Sequence, residues 1–329
     1  MGTFKMAAVN AAPVWFDRDA STIKACSLIE EAGQRGASIA AFGETWLPGF
    51  PIFMFGSDLT DDEHFKKLAH YYDQAVEIPS ATTDKLCEAA KAANIDVVIG
   101  VVERDARTQG TVYCSLLFIG SSGEILGVHR KLKPTFTERT VWGEGDGSGL
   151  RTYQRDYGRI SGLNCWEHNM MLPGYVLMNE GTQIHVAAWP GLDIVLPAPA
   201  SYNPRSMLLS RAFASQAACY VINVGAVLND ENVPLGGESC IIDPRGEILE
   251  GPVHGEQILI VEGSDEAILA AKAAFDITGH YSRPDIFQVH VNRTPAQRVY
   301  VTEENHQADH RPLGVSDEVD SKQVPAISK

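Results

Sequence analysis

The sequence predicts an α/β protein built on mixed sheets, and two features of its 329 residues support this prediction. Short apolar and β-branched runs alternate with amphipathic helical patterns, which is the order typical of βα units. Two further pairs of runs are separated by short turns that contain Gly, which is the pattern of antiparallel hairpins. Because both kinds of connection occur in one chain, we expect mixed sheets, and two sheets between outer helix layers would accommodate this many strands.

The predicted strands are apolar or β-branched runs bounded by Gly, Asn, Asp or Pro. The runs on either side of 121–123 form one hairpin, and 239–250 forms a second that turns at 243–246. In chain order the strands cover 4–12, 37–42, 96–102, 112–120, 124–130, 158–164, 182–189, 219–226, 239–250 and 256–263.

The predicted helices are segments whose apolar residues recur at helical spacing, with a cap residue or Gly at one end. They cover 20–36, 82–95, 169–180 and 206–218. The length alone would suggest two domains, but α/β folds of this size often form one, so we expect one domain over residues 1–302. Residues 303–329 are polar and lack periodicity, which predicts a mobile C-terminal tail.

The net charge argues against nucleic-acid and membrane partners, and the cysteine spacing argues against a secreted protein. The chain has 27 Lys and Arg against 42 Asp and Glu, a net charge of −15, which repels nucleic acid and anionic membranes. The six cysteines are widely spaced without a CxxC pair, which favours reduced thiols over a secreted disulfide framework. No secretory signal or membrane-length apolar run is visible, so we expect a cytoplasmic protein with no nucleic-acid or membrane partner.

Three predicted strand ends bear residues with reactive chemistry. Glu44 lies in FGETWLPG, Lys131 and Glu138 lie in KLKPTFTER, and Cys165 lies in LNCWEH. Taken singly, Cys165 could be an inert core thiol, Glu44 a turn cap and Lys131 a surface charge. Loops after strand ends are where layered α/β proteins bind ligands, so the three ends together predict an active site.

His168 follows Cys165 by three residues, which allows a Cys–His pair. Such partners usually meet across a fold, so we favour a role for His168 in supporting the turn. His168 and His185 lack the helical spacing of zinc-binding motifs, and no metal site is expected.

The chain resembles the nitrilase branch of the carbon–nitrogen hydrolase superfamily over roughly residues 4–300. The resemblance rests on the three motifs above, each in the same chain order, together with IHVAAWPG and GHYSRPD. It implies an α-β-β-α sandwich, a catalytic triad of Glu44, Lys131 and Cys165, and a second glutamate, Glu138, hydrogen-bonded into the site. It also implies that the enzyme needs no cofactor.

The implied reaction converts a nitrile to a carboxylic acid and ammonia through a covalent Cys165 intermediate. A thiol at a helix N-terminus beside an ammonium is expected to have a lowered pKa, and Glu44 could take its proton. Lys131 and the backbone N–H of Trp166 could stabilise negative charge on the substrate. Trp166, Trp189 and His168 are the expected substrate-binding residues, and aromatic or arylaliphatic nitriles are the expected substrates.

Two alternatives remain open at this stage. An amidase or a cyanide-hydrolysing relative would share the triad, although Trp166–Glu167 after the cysteine resembles nitrilases more. A catalytically silent scaffold is the second alternative. The segment 207–221 is more apolar than one buried helix face requires, which predicts an interface. The resemblance to nitrilases implies that this interface forms a homodimer, which builds larger homo-oligomers or helical filaments.

Overall fold

The strands of this computed structural model account for both predicted sheets. The model describes residues 2–55, 58, 60–191, 205–230, 233–235, 238–253 and 255–296, so the predicted tail 303–329 lies outside the described residues. The strands found there are β1 (Thr3–Asn10), β2 (Ile39–Ala41), β3 (Asp96–Arg104), β4 (Val112–Ile119), β5 (Ile125–Arg130), β6 (Tyr153–Arg155), β7 (Gly158–Asn164), β8 (Ile184–Trp189), β9 (Tyr220–Gly225), β10 (Leu228–Asp230), β11 (Val233–Leu235), β12 (Ser239–Ile242), β13 (Ile248–Val253) and β14 (Gln257–Ser264).

The two main sheets are both mixed, as the sequence predicts. The first has the strand order β14-β1-β2-β3-β4-β5, in which β1, β2 and β3 are parallel and the other pairs are antiparallel. The second has the order β13-β12-β9-β8-β7-β6, with β7, β8 and β9 parallel. Strands β10 and β11 form a separate antiparallel pair.

Four of the six described helices cover the outer faces of the two sheets. The described helices are α1 (Arg18–Gln34), α2 (Asp62–Asp73), α3 (Ala81–Ala93), α4 (Met171–Asn179), α5 (Arg205–Ala217) and α6 (Asp265–Ala274). Ile29 of α1 and Leu86 of α3 belong to the core on the outer face of the first sheet. Leu177 of α4 and Phe213 of α5 belong to the core on the outer face of the second. None of the helices in the described ranges is long and apolar enough to cross a membrane.

A third core lies between the sheets and completes the predicted α-β-β-α sandwich. Along β1, Met6 and Ala8 belong to the core that also contains Val186 of the second sheet, whereas Ala7 and Val9 belong to the core beneath α1 and α3. Successive side chains of a strand point to opposite faces, so a strand buried on both faces reads as a continuous apolar run. The predicted fold class is confirmed.

Two helices are missing from the sequence prediction. Helix α2 begins after Asp61, whose side chain accepts the Glu63 N–H. Helix α6 begins after Ser264, whose hydroxyl accepts the Ala267 N–H. Both have a polar cap and acidic residues in the first turn, which are ordinary signals of a helix start.

The predicted helix 169–180 is wrong at its start. A short 3₁₀ helix, Cys165–Asn169, comes first, and Met170 is extended with φ −84° and ψ 103°. Helix α4 then begins at Met171, which places Pro173 in its first turn, where a missing N–H breaks no helical hydrogen bond. Cys165 therefore opens a separate 3₁₀ turn and does not lie at the N-terminus of α4.

The loop after β2 crosses β3 in close contact with Gly100. The Leu47 N–H donates to the Gly100 carbonyl at 3.0 Å. A Cβ at position 100 would lie 2.1 Å from the Gly43 carbonyl oxygen and 2.8 Å from the Glu44 Cα. Both neighbours are backbone atoms, so the position requires glycine for the loop to keep its place.

We expect Gly100→Ala to lower the free energy of unfolding by about 1–3 kcal/mol, because the added methyl overpacks a buried backbone crossing. Thermal unfolding followed by circular dichroism measures the loss. Gly110→Ala is the matched control, since a Cβ there meets no atom within 4 Å. Equal melting temperatures for the two variants would contradict the close approach.

Candidate active site

The predicted site residues follow strands that end at one edge of the sandwich. Glu44 follows β2 and Lys131 follows β5. Strand β5 is antiparallel to β4, which is antiparallel to β3, so β5 runs in the direction of β2. Cys165 follows β7 in the second sheet, and the carbonyl of Trp189, at the end of β8, accepts the Glu44 N–H at 3.0 Å. The topology thus brings Glu44, Lys131 and Cys165 together.

A buried cluster of charges forms the centre of this edge. Lys131 Nζ donates to Glu44 Oε1 at 2.8 Å and to Glu138 Oε2 at 2.7 Å. Glu138 Oε2 also accepts the Thr135 N–H at 2.6 Å. The side chains of Lys131 and Glu44 have no solvent exposure. An unpaired ammonium at such a position would cost several kcal/mol, and the two carboxylates offset this cost.

Cys165 lies beside this cluster. Its sulfur and one carboxylate oxygen each of Glu44 and Glu138 are all within 4.8 Å of one another. Three such atoms could coordinate a metal ion, but the Lys131 ammonium already lies within hydrogen-bond distance of both carboxylates. The cluster is therefore suited to provide a nucleophilic thiol, a basic carboxylate and the ammonium of Lys131, and not to hold a metal ion.

The backbone is in the left-handed region at all three motifs. Thr45, next to Glu44, has φ 44°, Phe136 has φ 43°, and Cys165 itself has φ 49°. This region is uncommon for residues other than glycine, and for a β-branched threonine it is a clear outlier. Strain of this kind persists where surrounding contacts hold it, and it is concentrated at functional sites.

The electrostatics of the cluster suit Glu44 to act as a base near neutral pH. Burial raises the pKa of Glu44 to about 7; the Lys131 ammonium opposes this rise, and the Glu138 carboxylate adds to it. Burial by itself lowers the pKa of Lys131, but the charges of Glu44, Cys165 and Glu138 hold that pKa well above its ordinary value. Lys131 therefore stays protonated while Glu44 can exchange a proton.

Cys114 is a site residue that the sequence analysis does not identify. It is fully buried on β4, and its thiol donates to Glu44 Oε1 at 3.3 Å. Burial and the Glu44 charge raise the pKa of Cys114 well above its ordinary value, so it remains a protonated donor. With Lys131 and Cys114 both on Oε1, Glu44 Oε2 has no hydrogen-bond partner among the described residues. Cys114 lies 70 residues from Glu44 in the sequence, so no local pattern indicates that the two side chains meet.

His168 supports the turn through the backbone. Its Nδ1 lies 2.7 Å from the Cys165 carbonyl oxygen, which only accepts, so Nδ1 is assigned the proton. Its Nε2 then accepts from His185 Nε2 at 3.0 Å, and His185 Nδ1 accepts from the Ser161 hydroxyl at 2.8 Å. Burial lowers the pKa of His168 to about 4 and that of His185 well below its ordinary value. Both ring nitrogens of His168 are thus engaged, which disfavours a Cys–His pair.

The two predicted aromatic residues lie in different surroundings. Trp189 is buried, its ring stacks on His168 with centroids 5.1 Å apart, and its Nε1 donates to the Ser210 hydroxyl. Trp166 is partly buried and has the Arg205 guanidinium 5.3 Å from its ring centroid. Trp189 thus contacts both the Glu44 loop and the Cys165 turn, whereas the described ring contact of Trp166 is with α5.

Comparison with known proteins agrees with this architecture. The family model for carbon-nitrogen hydrolase matches residues 5–272. A nitrilase named Nitrilase 2, from an unknown prokaryotic organism, is 49% identical over 91% of this chain and 95% of its own length. An aliphatic nitrilase from Rhodococcus rhodochrous is 36% identical over 88% of this chain and 83% of its own. A carbon-nitrogen hydrolase from Helicobacter pylori G27 shares the fold, with a TM-score of 0.69 at 16% identity over 83% of this chain and 94% of its own.

The fold and the buried cluster therefore define a hydrolase of carbon–nitrogen bonds, and the chain belongs to the carbon–nitrogen hydrolase family. Within that family its relatives at 49% and 36% identity are nitrilases. The resemblance to the nitrilase branch and the prediction of an enzyme of this kind are both confirmed.

We expect Cys114→Ala to move the acidic limb of the kcat/KM pH profile upward by up to about one pH unit. The thiol hydrogen bond lowers the pKa of Glu44, so its loss raises that pKa and more base is needed to ionise the carboxyl. Cys114→Ser is the matched variant, since it keeps a donor, and its limb should stay at or below that of the wild type. A profile unchanged in Cys114→Ala would show that Cys114 has no influence on Glu44.

Proposed function

We propose that the protein is a nitrilase that hydrolyses organic nitriles through a covalent intermediate on Cys165. The observation that supports this best is the Cys165 sulfur beside a buried ammonium with a carboxylate on each side. A nitrile carbon is a weak electrophile, and thiolate is the strongest nucleophile that a side chain offers. The identity of 49% to a nitrilase adds independent support.

In the proposed mechanism Glu44 takes the proton of the Cys165 thiol. The thiolate adds to the nitrile carbon, and the nitrogen is protonated to give a thioimidate. Water adds to this intermediate and ammonia leaves, so that a thioester remains. A second water, deprotonated by Glu44, releases the carboxylic acid and restores the thiol, which balances R–C≡N plus two waters against acid and ammonia.

Lys131 and Glu138 would provide the electrostatic environment for these steps. The Lys131 ammonium can stabilise negative charge that develops on the substrate nitrogen and later on oxygen, together with the backbone N–H of Trp166. Glu138 would hold the ammonium in place through its 2.7 Å contact. No cofactor is needed in this scheme, because thiolate, base and cation are all side chains.

The substrate preference that we propose is for aromatic or arylaliphatic nitriles. The Trp142 ring centroid lies 5.8 Å from Lys131 Nζ, and Phe50 and Tyr71 belong to the same buried cluster as Cys114. Aromatic rings pack well against such side chains. Trp189 and His168, which stack on each other beside Cys165, would border the bound substrate. A changed selectivity between benzonitrile and small aliphatic nitriles in Trp189→Ala tests this placement.

Removal of the nucleophile tests the proposed function. We expect Cys165→Ala to reduce nitrile turnover by about 10⁶-fold with the fold intact, and Lys131→Arg to be nearly inactive because its donor geometry differs. Ammonia release from phenylacetonitrile, its amide and cyanide measures turnover and separates a nitrilase from an amidase or a cyanide hydrolase.

Cys219→Ala is the matched control. Cys219 is also buried, but it lies in the core beneath α4 and α5, so its replacement should leave turnover unchanged. Turnover retained in Cys165→Ala but lost in Cys219→Ala would reject the assignment of the nucleophile. A protein that releases ammonia from none of the three substrates would favour the silent scaffold.

We further propose that the enzyme is cytoplasmic and forms at least a homodimer, with larger homo-oligomers or filaments built from it. No disulfide joins its six cysteines, all of which lie in described residues. Exposed apolar side chains cluster around α4 and α5, among them Met171, Leu208 and Phe287. Met171 and Phe287 line a groove of about 920 Å³ beside these helices. Apolar surface of this extent is typical of an interface.

Sedimentation velocity tests the assembly. We expect the full-length chain to sediment as a dimer or larger, and Leu208→Glu to shift it toward the monomer because a buried charge opposes association. Ile23→Glu is the matched control, since Ile23 and Leu208 are both 64% exposed but Ile23 lies on α1. A truncation near residue 303 reports the effect of the tail. A fully active full-length monomer would contradict the proposal.

A further inference from the structure

One carboxylate connects the turn that bears Cys165 to the strand end that bears Lys131. Glu167 Oε2 accepts the Asn164 N–H at 2.8 Å, and Glu167 Oε1 accepts the Leu132 N–H at 2.8 Å. Asn164 directly precedes Cys165, and Leu132 directly follows Lys131. A single side chain therefore holds the backbone beside both residues.

A third donor fixes the orientation of this carboxylate. His129 Nε2 lies 3.2 Å and 3.1 Å from the two oxygens of Glu167, and both side chains are almost fully buried. Burial raises the pKa of Glu167, but His129 and the two backbone N–H groups outweigh it and hold that pKa below its ordinary value. Glu167 is thus an anion at neutral pH, and its two oxygens accept from the Asn164 N–H, the Leu132 N–H and His129.

We propose that Glu167 is a positioning residue that fixes the separation between the Cys165 sulfur and the Lys131 ammonium. The proposal rests on the roles given to those two residues under the proposed function. Strands β5 and β7 belong to different sheets, so no ladder of backbone hydrogen bonds sets their spacing. The Glu167 side chain supplies that connection directly. A displacement of about 1 Å between reacting groups can reduce a rate about 100-fold.

A positioning role and a purely electrostatic role predict opposite effects on Cys165. The negative charge of Glu167 disfavours a nearby thiolate, so its neutralisation alone would make Cys165 more reactive. If Glu167 instead holds Cys165 close to Lys131, its loss separates the two and makes Cys165 less reactive. The reactivity of the thiol therefore distinguishes the two roles.

Glu167→Gln tests the proposal in the full-length enzyme. A glutamine offers one acceptor oxygen, so its amino group must face one of the two backbone N–H donors. We expect kcat on phenylacetonitrile to fall about 100-fold or more with KM within about threefold. The rate of Cys165 alkylation by iodoacetamide at pH 7, followed by mass spectrometry, should fall at least about tenfold.

Asp96→Asn is the matched control. Asp96 is also a buried carboxylate. It accepts the Ser121 N–H at 2.7 Å and forms an ion pair with Arg155. It lies at the start of β3, whereas the site lies at the strand ends. Asp96→Asn should lower the melting temperature and leave kcat and alkylation within about threefold of wild type.

Three results would overturn the proposal. The first is a wild-type kcat in Glu167→Gln. The second is faster alkylation of Glu167→Gln than of the wild type. The third is an equal loss of kcat in Asp96→Asn at an equal loss of stability.

If Glu167→Gln does not fold, His129 variants provide the test. His129→Leu should lower kcat at least about tenfold at constant KM, and His129→Gln, which keeps a donor, should restore most of it. Wild-type kcat in His129→Leu would then reject the proposal.

The two proposals fail in different ways. Turnover retained in Cys165→Ala or Lys131→Arg would reject the proposed mechanism, whatever Glu167 does. Loss of turnover in both, with wild-type behaviour of Glu167→Gln, would leave the mechanism in place and reject only the positioning role.

Discussion

The buried ammonium of Lys131 is the constraint on which the site depends. No solvent reaches it, and it is tolerated because carboxylates of Glu44 and Glu138 lie 2.8 and 2.7 Å away. The three groups come from two separate segments of the chain, so the fold must deliver them to one point. Removal of Lys131 would leave two buried carboxylates without a compensating charge, so the ammonium is a structural requirement of the cluster.

This requirement explains the unusual backbone around the cluster. The loop that presents Glu44 passes so close to β3 that only a glycine fits at position 100, and Thr45 adopts a positive φ. Cys165 adopts a positive φ where β7 ends. Such conformations cost of order 1–3 kcal/mol each and persist only where the surroundings hold them. Here the hydrogen bonds to Trp189 and Glu167 hold the two loops.

The sequence predicts much of this arrangement because its signals are local. The apolar strands, the mixed sheets and the positions of Glu44, Lys131 and Cys165 at strand ends follow from short windows of residues. Contacts between distant segments leave no such signal, as for Cys114 on Glu44, which joins residues 70 apart. The helix expected from 169 starts at Met171, after a turn in which Glu167 accepts the N–H of Leu132 from the loop after β5. Helices α2 and α6, in contrast, have local signals in the sequence, since the cap residues Asp61 and Ser264 are each followed by acidic residues.

The hydrogen bonds of His168 and Glu44 determine which of the two side chains can accept a proton. His168 follows Cys165 by three residues, but the Cys165 carbonyl fixes its tautomer, and its second nitrogen accepts from His185. Burial keeps both imidazoles neutral. Glu44, which is 121 residues away from Cys165, has one oxygen bound by Lys131 and Cys114 and the other without a partner among the described residues. A base needs an unoccupied lone pair and a pKa near neutrality. Glu44 meets both conditions, and His168 meets neither.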